Sequence, residues 1–472
     1  MTELDSNLLY FLLFSLAAAG LYRLTAKKYR SAVLLCLNLL FYALCAGWYA
    51  GCILAVGGWS FFCSGKIDTA EDTGTRKKWL VWGIVPFVLT LCFFKYWTPA
   101  WTLAGKMLAE NPDGIGIIRI LLPLGMSYYI LKAISYLADV YRGKVHSGRN
   151  PVDYLAYVSF FGQIVSGPIQ RYEQWESECK KEQSSKSFVD GFYRITIGLF
   201  MKLVIANRLS QFVSLTFADP GAAGGLQLWL GFFFYAFYIY CDFAGYSHIA
   251  IGVTNCLGID CAENFNKPYF SRNIREFWSR WHISLSSWLR DYIYIPLGGN
   301  RKGRARRVLN VLITFLICGI WHGSTLSFIV WGIFHGIANV LSRKPQTDHR
   351  PSFSNLLLQT GTFMTVATGW IFFASPTLKD ALFYFKGMFT RLSLSSTAIG
   401  NALLPFSGDN TCVALFLTVV FFIIVLFVKE MLDEYKFLRR TRTSSFLWQV
   451  FLVASVLLFG VFGSNAFIYA GF

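Results

Sequence analysis

Charged residues are scarce in this chain of 472 residues. They make up 15% of the sequence, whereas soluble globular proteins carry about 25%. Hydrophobic residues account for 55%, and glycine, which is more frequent in membrane helices than in soluble ones, occurs 40 times. This composition excludes a soluble enzyme, with or without a single membrane anchor. It predicts an all-α polytopic membrane protein.

The motifs of common soluble enzymes are also missing. The sequence has no G-x-S-x-G elbow, no Walker A motif and no H-E-x-x-H motif. Its 11 cysteines are scattered mostly through apolar runs, without a C-x-x-C motif or a His/Cys pair at metal-ligand spacing. We therefore expect no metal site and no disulfide framework, and we interpret the cysteines as small buried hydrophobic residues.

Acidic residues are fewer than basic ones, 26 against 43, and the net charge is +17. The basic residues lie mostly in short loops between apolar segments, so orientation in the membrane explains them and no nucleic-acid partner is expected. The acidic N-terminus and the C-terminus are both predicted to lie outside the cytoplasm, in a multi-pass protein of the cell membrane. The loops predicted to be cytoplasmic are 25–30, 65–78, 301–307, 343–350 and 429–443.

The apolar segments predict about eleven spanning helices in a single integral-membrane domain, residues 1–472. Two segments, 152–168 and 281–297, are interpreted as re-entrant or interfacial because they are short for a bilayer crossing. Residues 225–342 are predicted to contain the catalytic core, because most of the chemically interesting polar residues lie there.

Histidine is rare, and two of the six histidines lie in strongly apolar sequence. His322 follows the basic stretch 301–307 at a spacing that places it roughly 20 Å into a helix long enough to span a bilayer. Neutral imidazole there could accept a proton from a hydroxyl, or it could only bond a neighbouring helix. His282 could orient a group, stabilise an oxyanion or merely fix the local structure. His335 and His248 are weaker candidates.

Polar and aromatic residues near these histidines are candidate supporting residues. Segment 278–291 alternates aromatic and cationic side chains, which indicates either an interfacial amphipathic helix or the polar lining of a cavity. Asp242 lies in an apolar run and must be paired or protonated when buried; we expect Arg275, Arg280 or Arg290 as its partner. The predicted supporting residues are Asp242, Arg280, Trp281, Arg290, Asp291 and Trp321.

Several stretches together resemble the membrane-bound O-acyltransferase family, in particular its bacterial branch of alginate O-acetyltransferase-like membrane subunits. The most specific block, residues 238–340, contains YCDFAGYSHIAIG, ENFNKPY, FWSRWHISLSSWLRDYIYIPLGGNRKG and WHG. LPLGMSYY, YLADVYRG, SGPIQRY and NAFIY extend the resemblance from about residue 120 to the C-terminus. His248 departs from the pattern, since relatives more often carry an acid there, so no family role is carried over to it.

The resemblance implies a ring of about eleven tilted helices with re-entrant segments around a central tunnel that joins the two faces. It implies that His322 of the WHG motif is catalytic and that His282 of the RWH motif is the second family histidine. It further implies an O-acyltransferase that takes an acetyl group from cytoplasmic acetyl-CoA, as a substrate and without a bound cofactor. The expected partner is an extracytoplasmic protein, SGNH-hydrolase-like or otherwise polysaccharide-modifying, that acetylates an extracellular or cell-wall polysaccharide.

Alternative functions remain open on the sequence. D-alanyl transfer to teichoic acid from a carrier protein belongs to a related branch, and lipid-directed acylation is a further possibility. A proton-coupled secondary transporter could use buried histidines as a proton relay, although no inverted repeat is visible. The basic stretch 301–307 could attract the phosphates of coenzyme A, but membrane orientation explains its charge equally well.

Overall fold

The chain folds into helices joined by short connections. The computed structural model describes residues 8–108, 122–148, 150–164, 167–181, 185–342, 350–406, 411–437 and 441–463, and these residues contain no β-strand. The α-helices are α1 Leu8–Leu24, α2 Arg30–Ala46, α3 Ala50–Thr69, α4 Thr73–Leu108, α5 Met126–Tyr141, α6 Pro151–Val158, α7 Phe161–Ile164, α8 Tyr172–Lys180, α9 Ser185–Leu199, α10 Asn207–Ala218, α11 Gly225–Cys256, α12 Ile274–Arg280, α13 Ile283–Leu289, α14 Gly303–His322, α15 Leu326–Leu341, α16 Phe353–Ala374, α17 Leu378–Thr390, α18 Ser396–Leu403, α19 Cys412–Glu434 and α20 Arg442–Phe459. Two π-helical turns interrupt them, Phe200–Ala206 and Arg290–Tyr294.

Seven stretches of the described chain are long and apolar enough to cross a membrane, which confirms the prediction of an all-α polytopic membrane protein. The first of them, Lys27–Thr69, divides into α2 and α3 at Gly47, whose φ of 57° breaks the helix. Helices α1 and α15 are apolar but shorter. The count of about eleven, the ring and the tunnel stay predictions, and the N-terminal acidic residues, NAFIY and most of loop 343–350 lie outside the described residues.

Both segments interpreted as re-entrant form short helices. Segment 152–168 contains most of α6 and all of α7, which have 8 and 4 residues, and segment 281–297 contains α13 with 7 residues, followed by the π-helical turn Arg290–Tyr294 with 5. At 1.5 Å per residue none of them can cross a hydrocarbon core of about 30 Å alone. Their position relative to the membrane stays a prediction.

The chain divides into two compact units. The first comprises the described residues up to 192 together with 250–262, and it contains a cluster of buried tyrosines. The rings of Tyr136 and Tyr154 lie 4.3 Å apart, and Tyr154 shares a hydrogen bond of 2.7 Å with Ser60 of α3. Lys132, also buried there, donates to the carbonyl of Tyr157 at 3.1 Å.

The second unit comprises residues 193–249 and 263–468 and contains both candidate histidines. In this unit α14 and α15 form a helical hairpin. Their backbones pack closely against each other at glycines. A Cβ on Gly319 would lie 2.4 Å from the carbonyl oxygen of Phe328, and one on Gly332 would lie 2.5 Å from that of Phe315. Small residues allow such close helix contacts in membranes. The hairpin therefore fixes the end of α14, where His322 lies.

Candidate active site

His282 is held in an unusual backbone conformation by a buried polar network. It lies between α12 and α13 with φ 42°, a left-handed conformation that non-glycine residues adopt rarely, and it is 1% exposed. Its Nδ1 lies 3.1 Å from Oδ1 of Asn264, and Asn264 Nδ2 donates to Ser247 Oγ of α11 at 3.1 Å. The ring of Phe243 packs edge-on against the imidazole at 4.7 Å. Burial lowers the pKa of His282 to about 3, so the imidazole is neutral at physiological pH.

His322 is the last residue of α14 and is enclosed by aromatic rings. It is 3% exposed, and its ring lies 4.8 Å from Trp321, 5.1 Å from Trp331 and 5.2 Å from Phe373. Gly323 follows it in extended conformation, and a Cβ at that glycine would lie 2.4 Å from the ring of Phe328. The histidine is thus buried, as its sequence context predicts, in a cage of rings supplied by α14, α15 and α16.

A layer of tryptophans joins the neighbourhoods of the two histidines. Trp281, which precedes His282, lies 4.9 Å from Trp370 of α16. Trp370 in turn lies 5.5 Å from Phe373, which touches His322. Trp281 and Trp370 are each 1% exposed. The predicted supporting residues Trp281 and Trp321 therefore both belong to the aromatic surroundings of the histidines, whereas the role of Trp370 was missed from the sequence.

His335 lies in the same aromatic layer, although sequence reasoning ranked it below the other two histidines. It is completely buried on α15, with its ring 5.1 Å from Trp278 and 5.2 Å from Trp331. In the part of the chain that the structure describes, neither ring nitrogen has a hydrogen-bond partner. A Cβ at Gly369 would lie 2.5 Å from its Nε2, so α16 approaches the imidazole closely.

The predicted partner of Asp242 is wrong. Asp242 is 1% exposed and forms an ion pair of 2.5 Å with Lys202, rather than with Arg275, Arg280 or Arg290. Lys202 is 3% exposed and lies in the π-helical turn Phe200–Ala206. The pairing follows from helix packing between residues forty positions apart. A lone lysine in the apolar run LFMKLVIA was the sequence signal that could have identified it.

Arg280 has a different and structural set of partners. It forms ion pairs of 2.8 Å with Glu276, one turn earlier on α12, and of 2.8 Å with Glu434 at the end of α19. Lys267 also binds Glu434, at 3.0 Å. This network ties the segment that precedes His282 to α19, so Arg280 helps to position the motif.

A cavity of about 460 Å³ opens beside the hairpin, and we call it the arginine-rimmed cavity. Arg275, Arg290 and Arg307 line it together with polar residues, whereas apolar side chains line the remainder. Arg290 also pairs with Asp291 at 2.8 Å, which places both predicted residues near this rim. The lining comprises Arg275, Trp278, Ser279, Ile283, Leu285, Ser286, Ser287, Leu289, Arg290, Tyr294, Asn300, Arg307, Val311, Thr314, Phe315, Cys318, Asn339 and Val340.

One face of α14 runs from the rim of this cavity to His322. Its lining residues, Arg307, Val311, Thr314 or Phe315, and Cys318, recur at intervals of three or four. That spacing places His322 on the same face, one turn beyond Cys318. Exposure falls along it, from the partly exposed Arg307 to Cys318 at 1%. The helix thus leads from a cationic opening to a buried imidazole.

Comparison with known proteins gives a consistent assignment. The sequence profile of MBOAT, the membrane-bound O-acyltransferase family, matches residues 124–344. The probable alginate O-acetylase AlgI of Pseudomonas putida is 34% identical over 421 residues, which cover 89% of this chain and 86% of that protein. A peptidoglycan O-acetyltransferase of Helicobacter pylori is 32% identical over 74% of this chain and 72% of its own.

A more distant match concerns the alternative branch considered above. The teichoic acid D-alanyltransferase of Bacillus subtilis is 31% identical over 225 residues, which cover 45% of this chain and 57% of that protein. The similarity to the two acetylating proteins extends over much more of the chain.

Proposed function

Because the chain belongs to the membrane-bound O-acyltransferase family, we propose that it moves an acetyl group from a cytoplasmic thioester donor, such as acetyl-CoA, for O-acetylation of an extracellular or cell-wall polysaccharide. The names of the relatives support acetyl transfer to a polysaccharide. Since the family assignment makes the chain an acyltransferase, the transporter hypothesis is not retained. We place the enzyme in the cell membrane with the N-terminal end of α14 in the cytoplasm, since the stretch 301–307 at that end is rich in arginine.

The observation that carries this proposal is the face of α14 that joins the arginine rim to His322. Coenzyme A is anionic because of its phosphates, and Arg275, Arg290 and Arg307 supply positive charge at the opening. From Arg307 to His322 the helix rises by about 22 Å. A donor whose phosphates bind the rim would extend its acylated arm along this face toward the imidazole.

The proposed reaction at His322 is acyl transfer to a hydroxyl. His322 accepts the hydroxyl proton while the oxygen attacks the thioester carbonyl carbon. The new C–O bond forms, the C–S bond breaks, and the proton passes from His322 to the departing sulfur. General-base help of this kind accelerates a reaction by roughly 10² to 10⁴. His282 and the tryptophan layer keep the side chains around His322 in place. The acceptor hydroxyl belongs to the polysaccharide or to an extracytoplasmic, SGNH-hydrolase-like partner that passes the acetyl group on.

The test uses the purified full-length protein in proteoliposomes with acetyl-CoA labelled in the acetyl group. Alginate and peptidoglycan-derived glycan serve as acceptors, and both released thiol and acceptor-bound label are measured. We expect His322→Ala to reduce label transfer by at least 10²-fold. His146→Ala is the matched control, because the His146 side chain is 94% exposed.

Two results would contradict the proposal. If the wild type neither consumes acetyl-CoA nor moves its label, direct transfer from acetyl-CoA to either glycan is contradicted. Transfer of D-alanine from a carrier-protein thioester to teichoic acid would then favour the related branch. If His322→Ala transfers label as fast as His146→Ala does, His322 is not the proton acceptor.

A further inference from the structure

Trp278 is a rigid part of the wall of the arginine-rimmed cavity. It lines that cavity and also packs against the hairpin of α14 and α15, with Phe315 at 5.3 Å, Trp331 at 5.8 Å and His335 at 5.1 Å. The angles between the ring planes are 69°, 74° and 88°. Edge-to-face contacts with three rings restrict the indole, so it resists displacement.

The same indole lies close to the route from the cavity to His322. Trp331 touches Trp278 on one side and His322 on the other, at 5.8 Å and 5.1 Å. On α14 the lining ends at Cys318, one turn before His322. An acyl group that followed this face of α14 from the arginine rim toward the imidazole would pass Trp278 and Cys318, which both line the cavity.

We propose that Trp278 sets the largest acyl chain that the enzyme accepts. The inference rests on the proposed function, since it assumes that the donor enters through the arginine-rimmed cavity. A two-carbon acetyl group fits beside the fixed indole, whereas each added methylene must displace a ring that three neighbours hold. In a closely fitting apolar site one methylene changes kcat/KM by about 10- to 200-fold.

The experiment compares acetyl-CoA, propionyl-CoA, butyryl-CoA and hexanoyl-CoA as donors for the full-length enzyme in proteoliposomes. For the wild type we expect kcat/KM to fall at least tenfold from acetyl to butyryl. Trp278→Ala is expected to reduce this ratio by a factor of ten or more. Trp278→Phe keeps an aromatic ring in the wall and is expected to admit propionyl better than the wild type while still rejecting hexanoyl.

Tyr294→Ala is the matched control, since Tyr294 lines the same cavity but lies beside Asn300 near the exposed end. It should change KM for all four donors by a similar factor and leave the acetyl-to-butyryl ratio unchanged. If Trp278→Ala does not fold, Trp278→Phe decides the question alone. The inference is overturned if the wild type uses all four donors equally, or if the Trp278 variants keep the wild-type ratio. Absence of any acyl-CoA turnover by the wild type would instead contradict the proposed function.

Discussion

Oδ1 of Asn264 accepts hydrogen bonds from the backbone N–H and the hydroxyl of Ser284, at 3.2 and 2.9 Å, and lies 3.1 Å from Nδ1 of His282. A backbone N–H can only donate, so the atom that faces His282 is an acceptor. Nδ1 of the histidine must then carry the proton, and Nε2 is the basic nitrogen. Asn264 thus fixes both the orientation and the tautomer of the second candidate histidine.

Replacement of Asn264 by alanine should lower activity and stability together. It leaves buried partners of the amide, His282 and Ser284 among them, without its oxygen, at a cost of about 1–3 kcal/mol for each group left unsatisfied. Asn264→Asp keeps the acceptor and should retain more activity than Asn264→Ala. The measurements are acetyl transfer and thermal unfolding in detergent. Asn266→Ala is the control, because Asn266 belongs to the same motif but is exposed. Equal effects at positions 264 and 266 would remove Asn264 from this role.

The titration of His282 predicts a pH dependence of stability. Burial lowers its pKa to about 3 in the folded protein, whereas an unfolded histidine titrates near 6.5. Between these values the unfolded state binds the additional proton, so this contribution to stability is complete above about pH 6.5 and is lost as the pH falls toward 3. We expect the unfolding temperature of the wild type to fall more steeply from pH 8 to pH 5 than that of His282→Gln. Parallel curves would show that His282 is not buried as a neutral group.

The buried pair Lys202–Asp242 should be sensitive to the loss of one partner. Asp242→Asn leaves the buried ammonium without its facing carboxylate, and breaking such a pair costs about 3–5 kcal/mol. The double variant Lys202→Met/Asp242→Leu removes both charges and should recover most of that loss. Glu176→Gln, which breaks the exposed pair with Lys180 at 3.2 Å, is the control and should cost no more than about 1 kcal/mol. Thermal unfolding measures all three. A double variant less stable than Asp242→Asn would contradict the pairing.

The glycine contact of the helical hairpin predicts a strong position dependence for alanine. A Cβ at Gly332 would lie 2.5 Å from the carbonyl oxygen of Phe315, so Gly332→Ala must push α14 and α15 apart, at a cost of about 1–3 kcal/mol. Acetyl transfer should fall as well, since the hairpin places Trp331 against His322. Gly361→Ala on α16 is the matched control, because a Cβ there has no neighbour within 4 Å. If Gly332→Ala lowers stability and acetyl transfer as little as Gly361→Ala does, the contact between α14 and α15 is not tight.

The sequence was sufficient to predict the helical membrane fold, the burial of His282 and His322, and the family, because hydrophobic composition and local motifs determine these. It was insufficient for the partners of buried polar groups. Asp242 meets Lys202, and His282 meets Asn264, through contacts that only the packing of distant segments creates. For the pair of Lys202 and Asp242, however, the sequence did contain a usable signal. Two lone charges of opposite sign in neighbouring apolar runs are each costly alone, so they are natural partners of each other.

The arginine rim predicts a specific and salt-dependent effect on the donor. Arg307→Gln should raise KM for acetyl-CoA severalfold with little change in kcat, because Arg307 lines the opening but lies about four turns of α14 before His322. Salt screens exposed charges, so the difference from wild type should shrink between 50 mM and 500 mM salt.

Arg304→Gln is the matched control for the rim, since Arg304 belongs to the same basic stretch but does not line the cavity. Acetyl-pantetheine, which lacks the phosphates of coenzyme A, provides a second control, and its KM should be the same for wild type and Arg307→Gln. If Arg304→Gln and Arg307→Gln raise KM for acetyl-CoA equally, donor binding depends on the total charge of the basic stretch 301–307 and not on the position of Arg307 at the cavity. If Arg307→Gln also impairs the use of acetyl-pantetheine, the arginine does not act on phosphates, and the placement of the donor's charged end at this rim is wrong.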